Sequence, residues 1–145
     1  MRWQLDQVPE AIAYKLLAAT VIPRPIAWVV TQDGEGRVNA APYSFFNVMG
    51  SAPPTVVLGL MADPVRGFKD TARNILETGE FVVNLVPEAL VAAMNITSVD
   101  APTGVDELDL AGLATEPSQL IRPPRIAASP VAFECTALSS VVTGP

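Results

Sequence analysis

The stretch that most constrains this chain is Arg24 to Ser51, RPIAWVVTQDGEGRVNAAPYSFFNVMGS. Ile26 to Thr31 is rich in β-branched and aromatic residues, which favour an extended, half-buried backbone. Asp33-Gly34-Glu35-Gly36 then supplies residues that accept a tight turn. Arg37 to Val48 follows as a second extended segment, so the pair reads as a β-hairpin ending in a Gly-Ser turn before Pro53-Pro54. Asn39, Tyr43, Ser44 and Asn47 interrupt this second segment, and Pro42 cannot donate to a ladder. No charged residue occurs from Val38 to Ala62. Such a wall suits a flat, mostly apolar ligand that also takes a few hydrogen bonds. It equally suits a core strand whose polar groups are satisfied internally.

Composition narrows the function. A chain of 145 residues is one domain's worth, and with half of them apolar and 17% charged it can build a substantial core. The apolar share also points to surface covered by a partner. A net charge of −6, with basic residues scattered apart from Arg66, Lys69 and Arg73, argues against a nucleic-acid partner. The absence of histidine removes Ser-His-Asp, Cys-His and His-ligated metal chemistry within these residues. Cys135 stands alone in a strand-like segment and reads as a buried, inert thiol. MRWQLDQVPE lacks the apolar core of a signal peptide. The most apolar window, Ala11 to Val30, holds Lys15, Arg24 and two prolines and does not read as a membrane span. The expected location is the cytoplasm.

Along the chain, Pro9 to Thr20 is expected to be a short helix with Ile12, Leu16 and Ala19 on one face. Arg24 is restricted by prolines on both sides. Thr55 to Met61 reads as a strand buried on both faces. The segment from Phe68 to Gly79 reads as a helix capped by Asp70 or Thr71 and stopped by Gly79, with Ala72, Ile75 and Leu76 as its buried stripe. Glu80 to Val86 is a strand, and Pro87 opens a helix whose Leu90, Val91 and Met94 face inward. Val99 to Leu110 reads as a solvated acidic loop, despite Asp100, Asp106, Glu107 and Asp109. Leu120 to Pro130 is an extended connection and Val131 to Val142 a last strand. The pattern predicts a mainly β, antiparallel fold with peripheral helices, barrel or sandwich.

RPIAWVVTQDGEGRVNAAPYSFFNVMGSAPPTVV, KDTARNILETGEFVVNLV, VDELDLAGLATEPS and PPRIAASPVAFECTAL occur here in one order. Together they resemble the flavin reductase-like, FMN-binding split-barrel family, including its flavoredoxin-type members, over nearly the whole chain from Tyr14. The resemblance implies a split β-barrel with Greek-key-like connections. It also implies one domain over residues 1–145 that lacks its C-terminal part. It implies FMN, with Tyr43, Ser44, Phe45, Phe46 and Asn47 at the isoalloxazine ring. Ser51, Lys69, Asp70 and Thr71 would lie on the phosphate side, with Asn74 and the cation Arg24 as further cofactor contacts. A helix N-terminus carrying Lys69 and Thr71 suits an anion. Hydride transfer needs no general base, so no catalytic side chain is named, and no metal site is expected. No GxGxxG sequence is present, so NAD(P)H would be a transient guest over the flavin. The family also implies a homodimer and a flavin reductase-type oxidoreductase. The alternatives are a flavin-binding electron carrier without NAD(P)H turnover and a non-catalytic interaction module.

Overall fold

The computed structural model describes residues 2–63, 65–102 and 104–143. Its frame is an antiparallel four-stranded sheet in the order β2-β1-β5-β8. The strands are β1 (Ala27–Gln32), β2 (Val38–Tyr43), β5 (Glu80–Asn84) and β8 (Ala132–Thr136). The pairs β3 (Phe46–Ser51) with β4 (Pro54–Leu58), and β6 (Thr115–Glu116) with β7 (Arg125–Ile126), stand outside that sheet. Helix α1 (Glu10–Thr20) precedes β1, α2 (Asp70–Thr78) lies between β4 and β5, and α3 (Val91–Ile96) and α4 (Glu107–Leu110) lie between β5 and β6. The fold is therefore mainly β and antiparallel, and the barrel stays open, with neighbours out of chain order as Greek-key-like connections require.

β1 is the centre of the molecule. Ala27 to Thr31 are fully buried, because both faces of the sheet are covered. Trp28, Val30, Ala40 and Val82 pack with Leu108 and Ile126 on one face. Ala27, Val29, Phe81 and Val83 pack on the other. Among the described residues, every buried side-chain polar atom has a hydrogen-bond partner. Trp28 Nε1 donates to Thr97 Oγ1 at 2.9 Å. Asn84 Nδ2 donates to the Trp28 carbonyl at 3.1 Å, and Asn84 Oδ1 accepts the Ile126 N–H at 3.0 Å, pinning β7 to the sheet.

The β1–β2 hairpin forms as expected, with the Asp33 carboxylate accepting from Glu35 and Arg37 and with Gly36 at φ 88°. The second strand, however, does not run to Val48. It ends at Tyr43, and Phe46 starts a new strand paired with β4. The break is held by Gly59, whose N–H donates to the Phe45 carbonyl at 2.7 Å. A Cβ on Gly59 would stand 2.9 Å from that of Phe45, closer than real Cβ atoms come. β4 is half exposed, not buried on both faces: Leu58 packs on the second core face, while Val57 is exposed.

The helices depart from expectation in which side chains they bury. α1 forms over the expected residues but buries none of them: Ile12, Tyr14 and Leu17 remain exposed. Lys69 occupies the cap position of α2, and neither Asp70 nor Thr71 caps it. Gly79 stops the helix at φ 73° with its N–H on the Ile75 carbonyl, as expected. Its buried residues are Thr71, Ala72 and Asn74, whereas Leu76 is exposed. The cause is the polar surface beneath: Asn39 Nδ2 donates to Thr71 Oγ1 at 2.8 Å, and Asn74 Nδ2 donates to Thr31 Oγ1 at 3.0 Å. Pro87 leads into a 3-10 turn before α3, where Leu90 and Met94 pack on the core but Val91 is exposed.

The acidic stretch is solvated only in part: Asp100 and Asp109 are exposed, but Asp106 and Glu107 are engaged in the fold. Asp106 caps α4 by accepting the N–H groups of Leu108 and Asp109. Glu107 is only 6% exposed, with its Oε2 accepting the Ala40 N–H at 3.0 Å. β8 is shorter than expected, and Leu138, Val141 and Val142 beyond it are exposed. Cys135 is half-buried, and burial pushes its thiol up to about 11. Among the described residues, no helix is long and apolar enough to cross a membrane.

Candidate functional site

A cavity of about 440 Å³ opens between the free edge of β2, the start of α2, Asp63 and Arg66, and the loop from Thr97 to Ala101. That volume falls in the range of sites for small organic ligands. β2 contributes a neutral wall of Asn39, Ala41, Pro42 and Tyr43, and Phe68 adds an exposed ring. Pro42 is tolerated here because β2 is an edge strand.

The start of α2 brings Lys69, Asp70 and Thr71 to the cavity. Lys69, at the cap position, makes no side-chain bond to this helix end. The positive end of the helix dipole therefore lies at the wall of the cavity. The Thr71 hydroxyl accepts from Asn39. Burial raises the Tyr43 phenol above its ordinary range, and the neighbouring Thr71 hydroxyl opposes that shift. Burial likewise raises Glu107, with the Ala40 N–H opposing it and the carboxylates of Asp106 and Asp70 adding to it.

The rim carries Arg66, Lys69 and Arg73 together with Asp63, Asp70 and Asp100. Arg73 Nη1 pairs with Asp70 at 2.7 Å, one helical turn away, and Arg73 Nη2 donates to the Phe68 carbonyl at 3.0 Å. Arg66 Nη2 meets Asp63 at 3.3 Å and also Asp100. Lys69 Nζ stands 3.7 Å from the other oxygen of Asp100. The Arg66 guanidinium holds the Asp100 carboxyl below the usual carboxylate range. Backbone N–H bonds from Arg66 and Val65 do the same for Asp63.

Of the residues expected at a cofactor, Tyr43, Lys69, Asp70 and Thr71 meet at this cavity. The other expected residues lie elsewhere. Arg24 donates to the carbonyls of Ala18 and Val21, each at 2.6 Å, and to Ser44 Oγ at 3.3 Å. Its guanidinium sits 5.7 Å from the centre of the Phe45 ring, which in turn meets Tyr14 of α1. Phe46 packs against the second core face, and Asn47 accepts the Val48 N–H through its own side chain. Ser51 is exposed at the end of β3. Asn74 lines a second cavity of about 80 Å³ on the far side of Asp70 and Arg73.

Arg66, Asp100, Asn39 and Glu107 belong to the site but were not among the expected residues. The sequence signalled two of them, Arg66 through its clustering with Lys69 and Arg73 and Asn39 through its place in the neutral wall of the second strand. Among the described residues, no group of three or more Cys, Asp and Glu side chains is arranged to hold a metal ion.

The profile of the Flavin reductase like domain matches residues 19–144. The chain belongs to this flavin reductase-like family. An uncharacterized protein of Deinococcus radiodurans is 45% identical over 148 residues, covering 98% of this chain and 64% of the relative. The flavin reductase-like chain thus spans a little under two thirds of the length of that relative. Among solved structures, nitrilotriacetate monooxygenase component B from Bacillus cereus superposes with a TM-score of 0.95 at 34% identity. That match covers all of this chain and 71% of the other. The 2-nitrobenzoate 2-nitroreductase of Pseudomonas fluorescens superposes with a TM-score of 0.81 at 38% identity, covering 94% of this chain and 64% of that one.

Proposed function

We propose that this flavin reductase-like chain binds FMN and passes reducing equivalents from NAD(P)H to flavin or onward to an acceptor. The observation that carries the reading is the pairing, in one cavity, of a neutral wall on β2 with the cation-bearing start of α2. An isoalloxazine ring needs the first and a phosphate the second. Lys69 would hold the phosphate by charge, with the first turn of α2 beside it. Ala41, Pro42 and Tyr43 would seat the ring. The donor set fits the group, since hydroxyls, an ammonium and a helix N-terminus are the partners a phosphate monoester takes.

Bound flavin would supply hydride acceptance and electron relay. The chain's own residues bind and orient it. Asn39 and Thr71 fix the start of α2 against β2, so that the two halves of the site keep their spacing. The solved relatives support the reading by name, one as a monooxygenase component and one as a nitroreductase, the latter favouring onward transfer to an acceptor.

A second copy of the chain would cover the exposed apolar side chains of α1 and the β3–β4 hairpin, among them Tyr14, Leu17, Val48 and Met49. Sedimentation of the protein would then give a dimer; a monomer at all concentrations would exclude it.

The deciding experiment is titration of the protein with FMN, followed by flavin fluorescence, then NADH and NADPH oxidation at saturating flavin. Saturable binding near one FMN per chain with nicotinamide turnover is expected. Binding without turnover would indicate an electron carrier, and no binding would refute the assignment. Lys69→Ala should weaken FMN binding by about 1 kcal/mol, the small end of a charge-assisted bond because the side chain is half exposed.

A further inference from the structure

The three cations at the rim of the cavity are already partnered, but their partners differ in kind. Asp63 is fixed by its own loop, with one carboxylate oxygen accepting the N–H groups of both Val65 and Arg66 at 2.8 Å. Asp70 pairs with Arg73 within a single helix. Asp100 instead comes from a separate segment, 34 residues from Arg66, and presents one oxygen to Arg66 and the other to Lys69. A carboxylate bridging two cations this way occupies the position that a ligand's phosphoryl group would take, since both anions demand the same donors. Its side chain is 59% exposed. An ion pair in that setting is weak and readily exchanged.

We propose that Asp100 is the resident counter-anion of the Arg66–Lys69 pair and sets the preference of the site for phosphate-bearing over phosphate-free flavin by competing with the ligand's phosphoryl group. The proposal rests on the FMN reading above and adds a residue that tunes it. A phosphate entering the cavity displaces Asp100 from both cations, and Asp100 turns out to solvent. The cavity lining sets Arg66, Lys69 and Arg73 against Asp63, Asp70, Asp100 and Glu107. Removing the one exchangeable carboxylate therefore makes the mouth one charge more positive, which favours a phosphate dianion and is indifferent to an uncharged flavin.

The test compares FMN and riboflavin binding to the wild-type chain, Asp100→Asn, Asp100→Ser and Lys69→Ala at low and high ionic strength. Glu88→Gln serves as control, because it removes an exposed charge from a residue outside the cavity lining. Asp100→Asn and Asp100→Ser should each tighten FMN about three- to tenfold, the range of an exposed ion pair plus one removed repulsion. Riboflavin affinity should stay constant, and the gain should shrink in high salt. Wild-type preference for FMN over riboflavin, lost in Lys69→Ala but unchanged in both Asp100 variants, would overturn the counter-anion and leave the FMN reading intact. Equal tightening by Glu88→Gln would overturn it as a general charge effect. Equal affinity for FMN and riboflavin in the wild type and in both Asp100 variants would overturn both readings.

Discussion

Substitutions at Glu107 separate the hydrogen bond of this side chain from its charge. Glu107 Oε2 accepts the N–H of Ala40 on the outer side of β2, and both residues are buried. Glu107→Gln keeps an acceptor oxygen in the same place, whereas Glu107→Ala leaves the Ala40 N–H without a partner. A buried amide stripped of its acceptor costs about 1–3 kcal/mol. Alanine should therefore be less stable than glutamine by about that amount in urea denaturation followed by tryptophan fluorescence, where Trp28 lies in the core beside Ala40.

The charge acts in the opposite sense. Burial raises the carboxyl above its unfolded value, so the folded state holds the proton more tightly. The contribution of Glu107 to stability is then fully present below its unfolded pKa and is lost as pH rises through the folded one. Glutamine cannot titrate and lacks that loss, so the stability of Glu107→Gln relative to wild type should increase from acidic to neutral pH. Equal stability of the alanine and glutamine variants would refute the assigned hydrogen bond. A flat difference between glutamine and wild type across pH would refute the raised carboxyl.

Three further expectations test other parts of the fold. Asn84→Leu removes both bonds of the amide that joins the Trp28 carbonyl to the Ile126 N–H, and should destabilise the chain by roughly 2–5 kcal/mol; a change in the denaturation midpoint worth under 1 kcal/mol would contradict that role. Ala41→Arg should abolish FMN binding while near-ultraviolet dichroism keeps its native form, and retained flavin would move the ring seat away from β2. Cys135, with its thiol raised to about 11 by burial, should react slowly with iodoacetamide at pH 8 in the folded chain and rapidly in denaturant. Rapid native labelling would show the thiol to be more accessible than its packing suggests.

What the sequence disclosed follows from the range over which each signal acts. The β1–β2 turn and the end of α2 depend on adjacent residues, Asp33 to Arg37 and Gly79, and were legible. Tyr43, Lys69, Asp70 and Thr71 were legible as a group through the family resemblance. The inward face of α2 was not. Thr71 and Asn74 turn inward because Asn39 and Thr31, 32 and 43 residues away, meet them with matching polar groups. Glu107 looked like solvent because its partner is a backbone N–H 67 residues distant. The break after Tyr43 depends on Gly59 closing against Phe45, a contact that no periodicity in Arg37 to Val48 encodes. Arg24 looked available for an anion, yet its Nη1 is turned to the end of α1 and its Nε to Ser44.

The outer edge of β2 has a consequence beyond ligand binding. In an antiparallel pair, alternate residues of an edge strand point their N–H groups away from the sheet. Ala40 is one of these, and its N–H is taken by Glu107. Pro42, two residues on, has no N–H to offer. A row of free donors on an edge strand is a template on which another chain can extend the sheet. Here that row is interrupted at two successive outward positions, which makes β2 a poor seed for intermolecular strand pairing. The same interruption leaves this side of the sheet open to a small molecule, so the wall of the cavity and the guard against aggregation are one strand.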